Sequence, residues 1–145
     1  ETGGPKQQEM GRAFHIALRT AMRLSEVLNA KLSGNIALLP KDKTTRAMVK
    51  VPLTRHGVRL LRACPPFAVG ANEASTLFVQ ICQACGVRTK GQDGVTFHDA
   101  RATALTLLAR KVDVMTLARI SLHRDIALLN RVYYRETAEQ IAARL

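Results

Sequence analysis

Tryptophan is absent from the 145 residues, and only two tyrosines and four phenylalanines are present. Few rings are therefore available to stack on unpaired bases, which argues against a single-strand or RNA-binding module. No apolar run approaches the roughly 18 to 20 residues that cross a bilayer. Glu1 to Gly4 lack the basic start and apolar middle of a secretory signal. The three cysteines, Cys64, Cys82 and Cys85, cannot all pair with one another and do not form a disulfide framework. A reducing interior, cytoplasm or nucleoid, is the expected location. Acidic residues are scarce too: 11 Asp and Glu stand against 22 Lys and Arg, a formal charge of +11. Polyanions are the expected partners.

What is present suffices for the core of one domain and no more, since 47% of the chain is apolar. The opening Glu-Thr-Gly-Gly-Pro reads as unstructured, and residues 1–9 are expected to be a linker or a cloning remnant, with the domain over 10–145. Met10, Phe14, Ala17, Leu18, Ala21, Leu24 and Leu28 recur at threes and fours, which predicts one helix, or two with a restart near Arg23. From Ala47 to Leu53 the period changes to two, and this strand can pair with Asn35–Leu39 across the polar turn Pro40–Thr45. Thr54 is placed to cap a short helix that stops at Pro65-Pro66. Ala74, Leu77, Phe78, Ile81, Cys82 and Cys85 make a helical stripe ending at Gly86. After the basic loop Arg88–Gly94, a helix is expected to hold His98 and Arg101. Asp113, Asp125 and Thr137 are plausible caps for three more. The fold class is α+β, mostly helical with a small antiparallel sheet.

Taken singly, the polar residues that carry chemistry read as ordinary. His98 and Arg101 are three apart on a helix, a spacing that lets both reach one anion but that solvated faces also show. Arg23 stands beside Glu26, a surface ion pair by itself. Lys43 lies at a hairpin tip, His123 near a helix start, and the adjacent Tyr133 and Tyr134 near the end of the chain. Cys82-x-x-Cys85 together with two histidines raises the question of zinc. Both cysteines belong to the apolar stripe and no second ligand pair stands at zinc spacing. No metal and no cofactor is expected.

The order of these residues carries more than any one of them. Thr20-Ala21-Met22-Arg23-Leu24-Ser25-Glu26 resembles the Thr-Gly-x-Arg-x-x-Glu box of the tyrosine recombinases, the phage integrase family, and Phe97-His98-Asp99-Ala100-Arg101 resembles its His-Asp-Leu-Arg box. Lys43-Thr44 followed by Val51-Pro52-Leu53 is similar to the family's hairpin lysine and following strand. Leu117 to Asp125 and Arg131 to Arg135 resemble its Leu-Gly-His box and nucleophile segment. The resemblance runs from about Phe14 to Leu145 and implies the catalytic domain, without the family's N-terminal DNA-clasping domain. Ala21 and Leu122 stand where the family has glycine. The tyrosine also falls one residue later than the commonest spacing from the second histidine.

The resemblance implies a site-specific recombinase that cleaves and rejoins duplex DNA through a 3′-phosphotyrosyl bond, with self-association into a tetramer on DNA. Arg23, Lys43, His98, Arg101 and His123 would surround the phosphate. Tyr133 would be the nucleophile, with Tyr134 as second choice. Such chemistry needs fixed cations where phosphoryl charge develops, and planar guanidinium suits it. Arg88, Lys90 and Arg124, with Arg110, Lys111 and Arg119, would neutralise backbone phosphates. Two alternatives remain open at this point: a non-catalytic duplex-binding domain, and a nicking and resealing enzyme similar to type IB topoisomerases.

Overall fold

The computed structural model describes residues 3–40 and 46–145. Helix α1 (Pro5–Thr20) is its axis and packs against α2 (Leu24–Asn29), α3 (Arg55–Ala63), α4 (Ala71–Ala84) and α5 (Asp99–Ala109). It buries Met10, Ala13, Ile16, Ala17 and Thr20, the inward stripe that period 3.6 requires. The helix begins at Pro5, so the expected linker over 1–9 is helical from that residue. Proline is favourable at a first helical position because its missing N–H would have no partner there and its φ is already helical. Of the two arrangements the sequence left open, the chain forms two helices, broken at Ala21–Arg23.

The sheet has three strands, one more than the expected hairpin. Strand β1 (Lys31–Ser33) pairs antiparallel with β2 (Ile36–Leu39), which pairs antiparallel with β3 (Val49–Pro52). Ala37 lies opposite Val51 and both are fully buried, while Lys50 and Pro52 face out, as the alternation demands. Thr54 caps α3 by accepting from the Gly57 amide at 3.1 Å. At Gly57 an added Cβ would stand 2.9 Å from Thr20 Cγ2, so glycine is what lets α3 close on α1. Phe14, Phe78 and Phe97 lock α1, α4 and the approach to α5 together, with ring centroids 5.3 to 5.7 Å apart.

A second layer completes the fold. Helices α6 (Val114–Ser121) and α7 (Ile126–Tyr133) cover α5 with Leu117 and Leu129, and each fully buried leucine contributes roughly 1.5–3 kcal/mol. Asp113 and Asp125 cap them as the sequence suggests, and Thr137 caps the short α8 (Ala138–Ala142). Two local expectations are corrected. Cys82 is buried, but Cys85 is exposed, because it is the C-cap of α4 and the helix has already turned outward there. His98 precedes α5 as its N-cap, so it is not held by a full helical turn. Among the described residues no helix is long and apolar enough to cross a membrane.

Candidate active site

Arg101 lies on the inward side of α5 and is only 2% exposed. A guanidinium in that position needs acceptors for its donors, because a buried charge without them costs several kcal/mol. Backbone carbonyls supply them. Nη1 donates to Ala21 O at 2.6 Å, Nη2 donates to Ser121 O, and Nη2 also lies 3.3 Å from His123 Nδ1. Among the described residues no carboxylate forms an ion pair with it. Burial and then the neighbouring Arg23 push its pKa below the usual arginine value, while Glu26 and Tyr133 act in the opposite direction. The charge is left available to an anion from outside.

The carbonyls point inward because the chain turns sharply at two places. Ala21 closes α1 at φ 60°, and Leu122 closes α6 at φ 61°. Both are left-handed, a conformation that costs a residue with a Cβ roughly 1–2 kcal/mol. These are the two positions at which the resembled motifs carry glycine. The backbone shape is therefore retained although the residue that makes it easy is not. Helix α2 restarts at once after the first turn, because Glu26 accepts from the Arg23 amide at 2.8 Å and from Arg23 Nη1 at 3.0 Å. That pair holds a half-exposed guanidinium at the mouth of the cluster.

His123 follows Leu122 and is half-buried. Its Nδ1 lies 2.7 Å from Ser121 Oγ, and burial, then Arg101, Arg23 and His98, hold its pKa below the ordinary 6.5. His98 is exposed and close enough to act on His123. Tyr133, the last residue of α7, is half-buried and acts on Arg101. The structure thus brings Arg23, His123 and Tyr133 within electrostatic reach of Arg101, and Arg23 and His98 within reach of His123. Tyr134 is engaged elsewhere: its hydroxyl donates to Val112 O at 2.6 Å, and burial followed by Asp113 pushes its pKa up. Lys43 lies outside the described residues.

A Haemophilus influenzae protein that carries the name integrase/recombinase is 33% identical over 138 residues, which are 90% of this chain and 45% of that protein. The shufflon-specific DNA recombinase of Escherichia coli is 30% identical over 141 residues, 91% of this chain and 36% of that one. The Tn1549 transposon integrase, solved in complex with transposon right end DNA, superposes with a TM-score of 0.68 at 16% identity over 94% of this chain and 58% of that chain. Over nine-tenths of its length the chain is similar to proteins named integrase or recombinase, and it shares the fold of the solved transposon integrase. No family model matches the sequence. The chain spans less than half the length of these curated relatives.

Arg88 and Lys90 are exposed in the loop between α4 and α5, and Arg124 is exposed directly after His123. Three parts of the site carry no signal in the sequence. The Ala21 and Ser121 carbonyls are backbone groups, and Ser121 is a buried serine at a helix end with no motif of its own. Only the meeting of α1, α5 and α6 reveals them.

Proposed function

We propose that this chain is the catalytic unit, residues 10–145, of a site-specific recombinase that breaks and rejoins duplex DNA. The observation that supports it most is the buried Arg101, held by two carbonyls, free of any carboxylate ion pair among the described residues, and next to His123, Arg23 and Tyr133. In this reading Tyr133 Oη attacks a backbone phosphorus, an O–P bond to tyrosine forms, and the bond to the 5′-oxygen breaks. His98 takes the phenol proton and Lys43 gives one to the leaving 5′-oxygen. Arg23 and Arg101 stabilise the charge on the non-bridging oxygens, and His123 donates to the same phosphate. The covalent phosphotyrosyl conserves the bond energy, so a free 5′-hydroxyl reverses the step without ATP or metal.

A phenol of ordinary pKa near 10 is a weak nucleophile at neutral pH, which is why it needs both a base and adjacent cations. The Tyr134 hydroxyl is occupied by Val112 O, which favours Tyr133 as the nucleophile. Arg88, Lys90 and Arg124 are assigned to backbone phosphates, and assembly into a tetramer on DNA, in the cytoplasm, completes the proposal. The test is a suicide duplex nicked beside the cleavage site. A covalent protein–DNA product with wild type and none with Tyr133→Phe is expected. A wild type that binds duplex without ever forming the adduct would support the non-catalytic alternative.

A further inference from the structure

Nδ1 of His123 faces two groups, and together they decide where the ring proton sits. Arg101 Nη2, 3.3 Å away, has hydrogens to donate and no lone pair to accept with. A proton on Nδ1 has Ser121 Oγ as its one acceptor and sets a second hydrogen against the Arg101 guanidinium. A bare Nδ1 accepts from both neighbours at once. Ser121 Oγ, 2.7 Å from the same nitrogen and fully buried, can then only be the donor in that contact. With Nδ1 accepting, the neutral ring carries its proton on Nε2.

We propose that Ser121 is a positioning residue: its hydroxyl, together with Arg101, holds His123 as the neutral Nε2–H tautomer and fixes the plane of the ring. This rests on the recombinase reading for its purpose, since an Nε2–H hydrogen-bond donor is what a phosphate oxygen in the cleft requires. It also separates the two histidines. His123 is locked as a donor, and the exposed His98 is the one left to accept the tyrosine proton. Ser121 serves the site twice, because its carbonyl accepts from Arg101 while its hydroxyl donates to His123. The charged and titratable groups facing His123 are Arg101 from α5, Arg23 ahead of α2, His98 ahead of α5 and Asp125 at the start of α7. Only Asp125 favours the protonated ring.

The experiment is long-range proton–nitrogen NMR of the histidine rings in the whole chain, without DNA, across a pH titration. Wild type should show a bare Nδ1 and a protonated Nε2 at His123 at neutral pH. Ser121→Ala removes the shorter of the two contacts that favour the neutral ring. Its two nitrogen signals should move toward each other, and its titration midpoint should rise toward the ordinary histidine value. Ser121→Cys, a weaker donor of similar size, should fall between and serves if the alanine variant does not fold. A proton on Nδ1 in wild type overturns the proposal, and so does a Ser121 variant that folds and titrates as wild type does. A bare Nδ1 in a protein that forms no DNA adduct would instead remove the recombinase reading and leave the role of Ser121 standing.

Discussion

Tyr133 and Tyr134 are neighbours in sequence, yet consecutive side chains on a helix diverge by about 100°, and their phenols end in different surroundings. Tyr134→Phe breaks the bond to Val112 O and leaves that carbonyl short of a donor, which should cost about 1 kcal/mol and lower the melting temperature while the adduct still forms. Tyr133→Phe should do the reverse. Stability and DNA affinity stay near wild type, and the covalent product disappears on a denaturing gel. If the adduct survives in Tyr133→Phe and is lost in Tyr134→Phe, the nucleophile is the other tyrosine. Arg101 allows no such separation. In Arg101→Lys the ammonium has no planar fork to span Ala21 O and Ser121 O. Each carbonyl left without its donor costs about 1–3 kcal/mol. A roughly 10²–10³-fold loss of cleavage rate is expected because a single ammonium cannot aim the guanidinium's fixed donors at the developing phosphoryl charge. Denaturant midpoints and single-turnover rates measure the two effects on the same variant.

At the scale of elements, the ends of helices do more for the site than their middles. Ala21 is fully buried and left-handed, so Ala21→Val puts a β-branched side chain where φ is positive and space is lacking. A loss of roughly 2 kcal/mol or more is expected, with a larger fall in cleavage because Ala21 O leaves Arg101. Ala21→Gly is the contrasting case. Relief of about 1–2 kcal/mol of left-handed cost is offset by about 0.8 for the lost buried methyl and 0.5–1 for chain entropy. Near-neutral stability by thermal melting is the expected result. The α6 cap brings in pH. Asp113 accepts from the Thr116 hydroxyl at 2.6 Å and amide at 3.0 Å, and these bonds hold its carboxyl below the ordinary 3.8. A depressed carboxylate stabilises the fold fully above that ordinary value and loses the effect as pH falls through the lower folded-state value. Asp113→Ala should therefore melt below wild type at neutral pH, with the gap closing under acid.

For the molecule as a whole, the proposed recombinase reading and a charge of +11 on 145 residues make phosphate neutralisation the expected main source of affinity for DNA. If the chain covers 6 to 10 phosphates, duplex affinity should drop about 10³–10⁵-fold between 50 and 200 mM salt. Fluorescence anisotropy at several ionic strengths checks this, and an affinity indifferent to salt would argue against a backbone-gripping surface. Preference for a single strand would contradict a chain with so few aromatics.

Most of the helices, several of their caps and the alternation of one strand were legible in the sequence because each follows from spacing along the chain. Period 3.6 around Met10 to Ala17, period two from Val49 to Leu53, and aspartate or threonine ahead of an apolar run are local facts. Charge and the ordered motifs were legible for the same reason. Other features depend on groups distant in sequence. Arg101 is held by carbonyls 80 and 20 positions away, and nothing near it in the chain announces that it is buried. The left-handed turns at Ala21 and Leu122 are imposed by packing on residues that do not choose them. The difference between Tyr133 and Tyr134 is made by Val112, 22 positions from Tyr134. Residue type and order thus determined which chemistry the chain can carry. Which atoms face each other was decided only when α1, α5, α6 and α7 closed on a common core and left one guanidinium inside it.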